Sequence, residues 1–253
     1  MSRQARTMLF LVGAVGLGVL VLWAYAGLPD FGNYKGPYGD ILNAVSVPER
    51  NITDVVTAVN FDYRGFDTLG EEFILFAAVI GVAILLRAQR DEEEREATEF
   101  AFGRSAPRTS DAVRVVAITL VGPTVVTGLY IVAHGHLTPG GGFQGGVVLA
   151  TALVLVYLAG EYVFLRRTAP LSLVEVCEAI GGGGFAVIGL AGLVAGLAYM
   201  ENVFPLGEVG RLNSAGTVPL INLSVGLEVA AGFVLILVEF LEQTLMVRLK
   251  ERT

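Results

Sequence analysis

Glu228 is the residue of this chain best placed to do chemistry. It lies inside the apolar run PLINLSVGLEVAAGFVLILVEFLEQTL, residues 219–245. In a helix rising about 1.5 Å per residue, a span entered at Pro219 carries Glu228 roughly 13 Å deep. A charge near a bilayer midplane costs about 2.5–3.5 kcal/mol on insertion scales, so the side chain must face protein or water. Two readings fit. Glu228 is a carboxylate that binds a proton or cation against a neighbouring helix, or a buried acid hydrogen-bonded to a polar partner and holding helices in register. Ser224 lies one turn away on the same face, and Glu239, three turns on, returns to that face. Glu228 and Glu239 together make a carboxylate ladder on one helix, with Glu228 the only acid of the C-terminal half expected at its depth.

The remaining acids of the apolar runs form a second group. Glu161, Glu175, Glu178, Glu239 and Glu242 fall towards one end of their spans, where Arg166, Arg167 and Arg248 stand close in sequence. They read as helix-end ion pairs with snorkelling cations, or as an acidic vestibule that gathers cations. His134 and His136 form an H-x-H pair. A metal site wants three or four ligands, and the single cysteine, Cys177, is expected on the opposite side of the membrane. No metal or cofactor is expected. The histidines read either as groups titrating near neutral pH at an outer proton entrance or as hydrogen-bonding supports of the loop beside them. Cys177 excludes an intramolecular disulfide and packs as a small hydrophobe. The chain holds neither H-E-x-x-H nor G-x-S-x-G, so nothing points to an intramembrane hydrolase.

The elements that must position these residues are membrane helices. Of the 253 residues 54% are hydrophobic and 16% charged, against about 25% charged in soluble domains. The net charge is −7, and no Lys/Arg-rich run suggests a nucleic-acid partner. Six segments reach the length of a span: 8–28, 71–87, 113–133, 143–165, 174–199 and 219–245. The expected fold class is all-α, a polytopic membrane protein with about six transmembrane helices in contact with lipid. The first run is longer than the apolar core of a signal peptide and reads as a retained helix, although Ala24 and Ala26 imitate a cleavage site. Thirteen of the 17 Lys and Arg residues fall on the side holding both termini, so both termini are expected in the cytoplasm of a cell-membrane protein.

Between the third and fourth runs lies GHLTPGGGFQGG, residues 135–146. Gly140, Gly141, Gly142, Gly145 and Gly146, with Pro139 and Phe143, suit a tight, non-helical backbone, which membrane depth tolerates only where protein or water surrounds it. No G-K-[ST] follows and no strand precedes, which excludes a phosphate loop. Upstream, VNFDYRGFDTLGEE (59–72) sets Arg64 between Asp62 and Asp67, a local ion-pair network. Glu71 and Glu72 open the second span, where the helix dipole favours acids. Asn51 or Thr53 caps a short helix whose Val55, Val56, Val59 and Phe61 lie on the membrane surface. The charged run 91–110, with DEEERE, reads as a cytoplasmic linker, and Ser110 marks entry to the third span.

GHLTPGGGFQGG resembles the loop that marks the MnhB (MrpB) family, the B-type component of the Mrp-type multisubunit cation/proton antiporters, and the resemblance covers residues 110–245. VNFDYRGFDTLGEE resembles a segment near the C-terminus of the large A-type component of the same antiporters, found also in the E-type component of membrane-bound hydrogenases. The chain therefore reads as a fusion: residues 1–90 a two-helix segment of that second kind, 91–110 a linker, and 111–253 a four-helix MnhB-like domain. The resemblance implies a non-catalytic component of a secondary transporter that exchanges sodium, or another monovalent cation, for protons. It implies partner subunits of the A, C, D, E, F and G types. The ion-path candidates are Glu228, Glu239, Glu161, Glu178, His134 and His136; Asp62, Arg64, Asp67, Glu71 and the loop glycines are structural. The alternative is the equivalent component of a membrane-bound hydrogenase or related respiratory complex, whose redox chemistry would reside in other chains because no Fe–S cysteine pattern occurs here.

Overall fold

The computed structural model describes residues 3–28, 32, 36–86 and 109–250, with backbone alone for 3, 6, 161 and 243–250. Most of the charged linker lies outside the described residues. The chain divides into two compact units, residues 1–41 and 42–253. The first is built on α1 (Arg3–Ala26), a 24-residue apolar helix whose described side chains are all exposed. An apolar helix with no buried stripe is what lipid contact requires.

The second unit begins within α2 (Tyr38–Arg50) and continues through a short α3 (Val55–Ala58), a π-helical turn (Val59–Tyr63) and the long helices α4 (Gly65–Leu86), α5 (Asp111–Ala133), α6 (Gly142–Thr168), α7 (Leu171–Val194) and α8 (Val218–Lys250). The described residues contain six helices long and apolar enough to cross a membrane, α1 among them, and no strand. The protein is an all-helical, multi-pass membrane protein. α8 is the centre of the second unit and packs against α4, α5, α6 and α7. Val218, Ile221, Val225, Val229, Val234 and Val238 along it are at most 2% exposed. Leu220, Leu223, Phe233 and Phe240 line its one exposed stripe; on the buried faces a polar residue is seated only where a neighbour matches it, so Glu228, 1% exposed, needs partners inside the bundle.

Several boundaries differ from the sequence expectation. α4 starts at Gly65 rather than 71, with Asp67 in its first turn. Glu71 and Glu72 are therefore nearly two turns inside the helix and are not its N-terminal acids. α7 runs Leu171–Val194, and the chain leaves helix before Tyr199. Glu178 consequently sits about 10 Å into its span, well past the helix end where the sequence placed it. The short α3 is capped by Asp54, which accepts from Thr57 N at 3.1 Å, in place of Asn51 or Thr53. It does not lie on the membrane surface by itself. Thr57 and Ala58 are buried, and Phe61 stacks edge-on to Phe185 of α7 at 6.3 Å. Ser110 caps α5 as expected, accepting from Val113 N.

Candidate functional site

Three carboxyls meet inside the second unit: Glu72 of α4, Glu178 of α7 and Glu228 of α8, exposed by only 4%, 7% and 1%. The glycines of α7 make this approach possible. Gly181 lies against the backbone of Glu228, where any Cβ would collide, and a Cβ on Gly182 would stand 3.0 Å from Glu228 Oε2. Gly184 is hollow in the same way beneath Ser224 Oγ. Such small-residue faces let two membrane helices pack backbone to backbone. Across α8, Gly232 faces Val79 of α4 and Glu178 of α7.

The carboxyls of Glu72 and Glu228 lie within hydrogen-bonding reach of each other, and Glu178 stands within electrostatic range of Glu228. Among the described residues, neither oxygen of Glu228, nor Oε2 of Glu72, nor Oε1 of Glu178 has a hydroxyl, amide or cationic donor. A hydrogen bond between two carboxyls carries one proton, because an ionised carboxylate only accepts. The sequence led us to expect Glu228 to face a neighbour and to be the only acid at its depth in its half of the chain. Its neighbours lie within the chain itself, one of them Glu178.

Further acids continue the series towards the other end of the bundle. Glu178 is within range of Glu175, Glu175 of Glu239, and Glu239 of Glu242 and Arg166. Glu242 accepts a hydrogen bond from Tyr162 Oη, and Arg166 lies over the Tyr162 ring. The Glu161 side chain lies outside the described residues. Among the described residues no three His, Cys, Asp or Glu side chains converge as metal ligands.

The opposite end is closed by a hydrogen-bonded cap. Gly141 takes φ 123°, which only glycine holds without strain, and Gly142 N donates to Asn222 Oδ1 of α8 at 2.8 Å. The carbonyls of the glycine loop are taken up by the segment before α4. Thr57 Oγ1 donates to Gly135 O and Thr53 Oγ1 to Leu137 O, both at 2.6 Å, and the amides of Thr53 and Asp54 donate to His136 O. His136 is fully buried. Its Nε2–H donates to Arg211 O at 3.3 Å, while Nδ1 has no partner. Burial pushes its pKa below 6.5, opposed by the bond to Arg211. His134 is partly exposed, stacks on Tyr130 and donates to the Tyr130 carbonyl. The Arg64 network is split: Arg64 pairs with Asp67, whereas Asp62 pairs with Arg50 at 2.7 Å and accepts from Asn202 Nδ2. Glu71 is exposed beside Glu72. Gly145 and Gly146 are contact points of α6 with α5 and α8, Phe143 packs on Phe233, and Pro139 is exposed. Sequence reasoning missed Asn222 and Asn202 and gave Glu72 the wrong setting. Asn222, six residues before Glu228 in an apolar run, was the available signal.

Residues 112–235 match the family described as a domain related to the MnhB subunit of Na+/H+ antiporters. An uncharacterised protein of Methanocaldococcus jannaschii is 31% identical over 215 residues, 76% of this chain and 78% of its own length. The chain belongs to the MnhB family. Among solved structures, a chain of the membrane-bound sulfane sulfur reductase, an archaeal respiratory membrane complex, matches this MnhB protein with TM-score 0.69 and 33% identity, over 94% of the present chain and 98% of its own. The Mrp complex of Dietzia sp. shares the fold, with TM-score 0.63 and 24% identity, over 94% of this chain and 26% of the matched one.

Proposed function

We propose that this MnhB-family protein is a non-catalytic membrane component of a multisubunit cation/proton antiporter, exchanging sodium or another monovalent cation for protons, and that it contributes a proton-holding carboxyl pair to the ion path. The observation that carries this reading is the face-to-face pair Glu72–Glu228, without another donor, in the middle of the bundle. Glu228 is ten residues from the start of α8, about 15 Å, near the middle of the apolar stretch Val218–Glu242. Glu178, Glu175, Glu239 and Glu242 continue the pair towards the Arg166 end, each within electrostatic range of the next, and we infer that they hand protons or a cation along this series. The bias of Lys and Arg supports both termini in the cytoplasm, which opens the acidic series to the cytoplasm and sets the His136 cap outside. Partner subunits of the A, C, D, E, F and G types complete the path.

Residues 1–90, on the resemblance of VNFDYRGFDTLGEE, take the place of a segment that the family carries on another polypeptide of the complex.

A second reading has its own support: the end-to-end match to a chain of a respiratory complex. There the same carboxyl series would serve ion movement coupled to redox chemistry in other chains. Tagging this chain in its native membrane and identifying what copurifies separates the two. Recovery with other antiporter-type subunits alone, together with sodium-dependent proton flux in inverted vesicles, is expected. Recovery with Fe–S or flavin subunits would replace the antiporter by the respiratory complex.

A further inference from the structure

Separate from the Glu72–Glu228 pair, whose residues do not line it, lies a cavity of about 370 Å³ walled by α5, α6, α7 and α8. Val125, Leu153, Val156, Leu173, Cys177 and Ala231 represent its lining, and the only hydroxyl on the wall, Thr168, donates to Phe164 O. It reaches the turn between α6 and α7 through Thr168 and Ala169. Cavities without polar partners hold no ordered water. One this large, in the membrane-spanning part of the bundle, calls for an apolar occupant.

In a chain of net charge −7, two arginines continue the stripes of the wall towards the end marked by Thr168 and Ala169. Arg167, in the last turn of α6, follows Leu149 of the wall by eighteen residues, five full turns, and so continues the lining stripe. Arg114, at the start of α5, precedes Val121 and Val125 of the wall by seven and eleven residues and stands on their stripe. Its Nε donates to Ala159 O at 2.9 Å, which holds the guanidinium against α6. Arg166, by contrast, is turned to Tyr162 and Glu239 on the α8 side.

We propose that this cavity is a lipid-binding site that takes one hydrocarbon tail of an anionic glycerophospholipid, with the phosphate held by Arg114 and Arg167. The apolar slot accounts for the tail. The two arginines, in register with its walls beyond their cytoplasmic-side residues, account for the anionic headgroup, since guanidinium binds phosphate by paired N–H donors. A helix of a neighbouring protein needs a groove along its length, and it would not place two cations at one end of a slot.

The test uses phosphatidylglycerol carrying a diazirine in one tail, added to the intact complex purified in mild detergent, with crosslinked peptides mapped by mass spectrometry. Crosslinks are expected on cavity residues such as Leu153, Leu173 and Ala231. Unlabelled phosphatidylglycerol should compete them away at least five-fold better than phosphatidylcholine of the same tails. Arg114→Gln with Arg167→Gln should remove that preference. Equal competition by the two lipids in the unaltered complex, or crosslinks confined to other lipid-facing surfaces, would overturn the proposal whatever the behaviour of the double variant. So would a cavity from which a neighbouring protein's peptide is recovered in place of lipid.

Discussion

At the scale of single residues, Glu72 and Glu228 are not equivalent. Glu228 has Glu178 beside it, whereas Glu72 has Glu71 at the edge of the bundle. Glu228→Gln keeps the volume and supplies an amide donor to Glu72. The complex should assemble normally yet lose at least ten-fold in cation-dependent proton flux, measured in inverted vesicles with assembly checked on native gels. Glu72→Gln should behave alike, and the double variant should be no worse than either single one, because one shared proton is lost in all three. Full flux with an unaltered pH profile in Glu228→Gln would reduce the pair to a packing device. Glu239→Gln should be milder, since that residue lies nearer the end of the apolar stretch. His136 gives a separate pH dependence. Its folded pKa is below 6.5, so the unfolded chain binds more protons there. The stabilisation from keeping it neutral is present above about pH 6.5 and is lost as pH falls through the folded value. The protection of the amides of residues 135–142 against hydrogen exchange, after correction for the intrinsic rate at each pH, should therefore fall between pH 7.5 and 5.5, and His136→Gln should flatten that difference.

At the scale of elements, the glycine run of α7 sets how closely α8 approaches. A Cβ at Gly181 meets the Glu228 backbone, which cannot retreat as a flexible side chain can. Gly181→Ala should cost about 1–3 kcal/mol of helix packing and lower the thermal midpoint of the detergent-solubilised complex. Gly183→Ala, with nothing within 4 Å of the added carbon, should be neutral; equal effects of the two would refute close α7–α8 contact as the reason for the run. The spans were legible in the sequence because twenty apolar residues in a row leave no other home for a helix. The start of α4 was not. Gly65, Asp67 and Gly70 read locally as a loop, and only burial of Thr68 and Leu69 against the bundle makes them helix. That misplacement hid Glu72. The depth of Glu228 followed from counting residues along one helix. Its partner was out of reach, because pairing between α4 and α8 joins residues 156 positions apart and leaves no trace in local periodicity. The glycine loop was legible as a non-helical turn, but its hydrogen bonds to Thr53 and Thr57 were not, for the same reason.

At the scale of the whole molecule, both termini are expected on one side. Ser105→Cys and Gly207→Cys, each in a Cys177→Ala background, should label from inside and outside the cell respectively with an impermeant maleimide; the reverse pattern would invert the orientation. The hydrogen bonds from Thr53, Asp54 and Thr57 to the loop at 135–137, with the Glu72–Glu228 pair beneath them, bind residues 42–86 to the MnhB domain as one protein binds another. Two polypeptides made by dividing the chain within 91–108 should therefore still copurify. What the covalent joint adds is concentration: a tether holds its ends at millimolar levels however few copies the membrane contains. It also fixes the ratio of the two segments at one to one. A buried acid inserted alone would carry its insertion cost until a partner arrived by diffusion. Made as one chain, each carboxyl of the pair has its counterpart tethered to it, so the wait for a partner does not depend on a meeting of separate molecules.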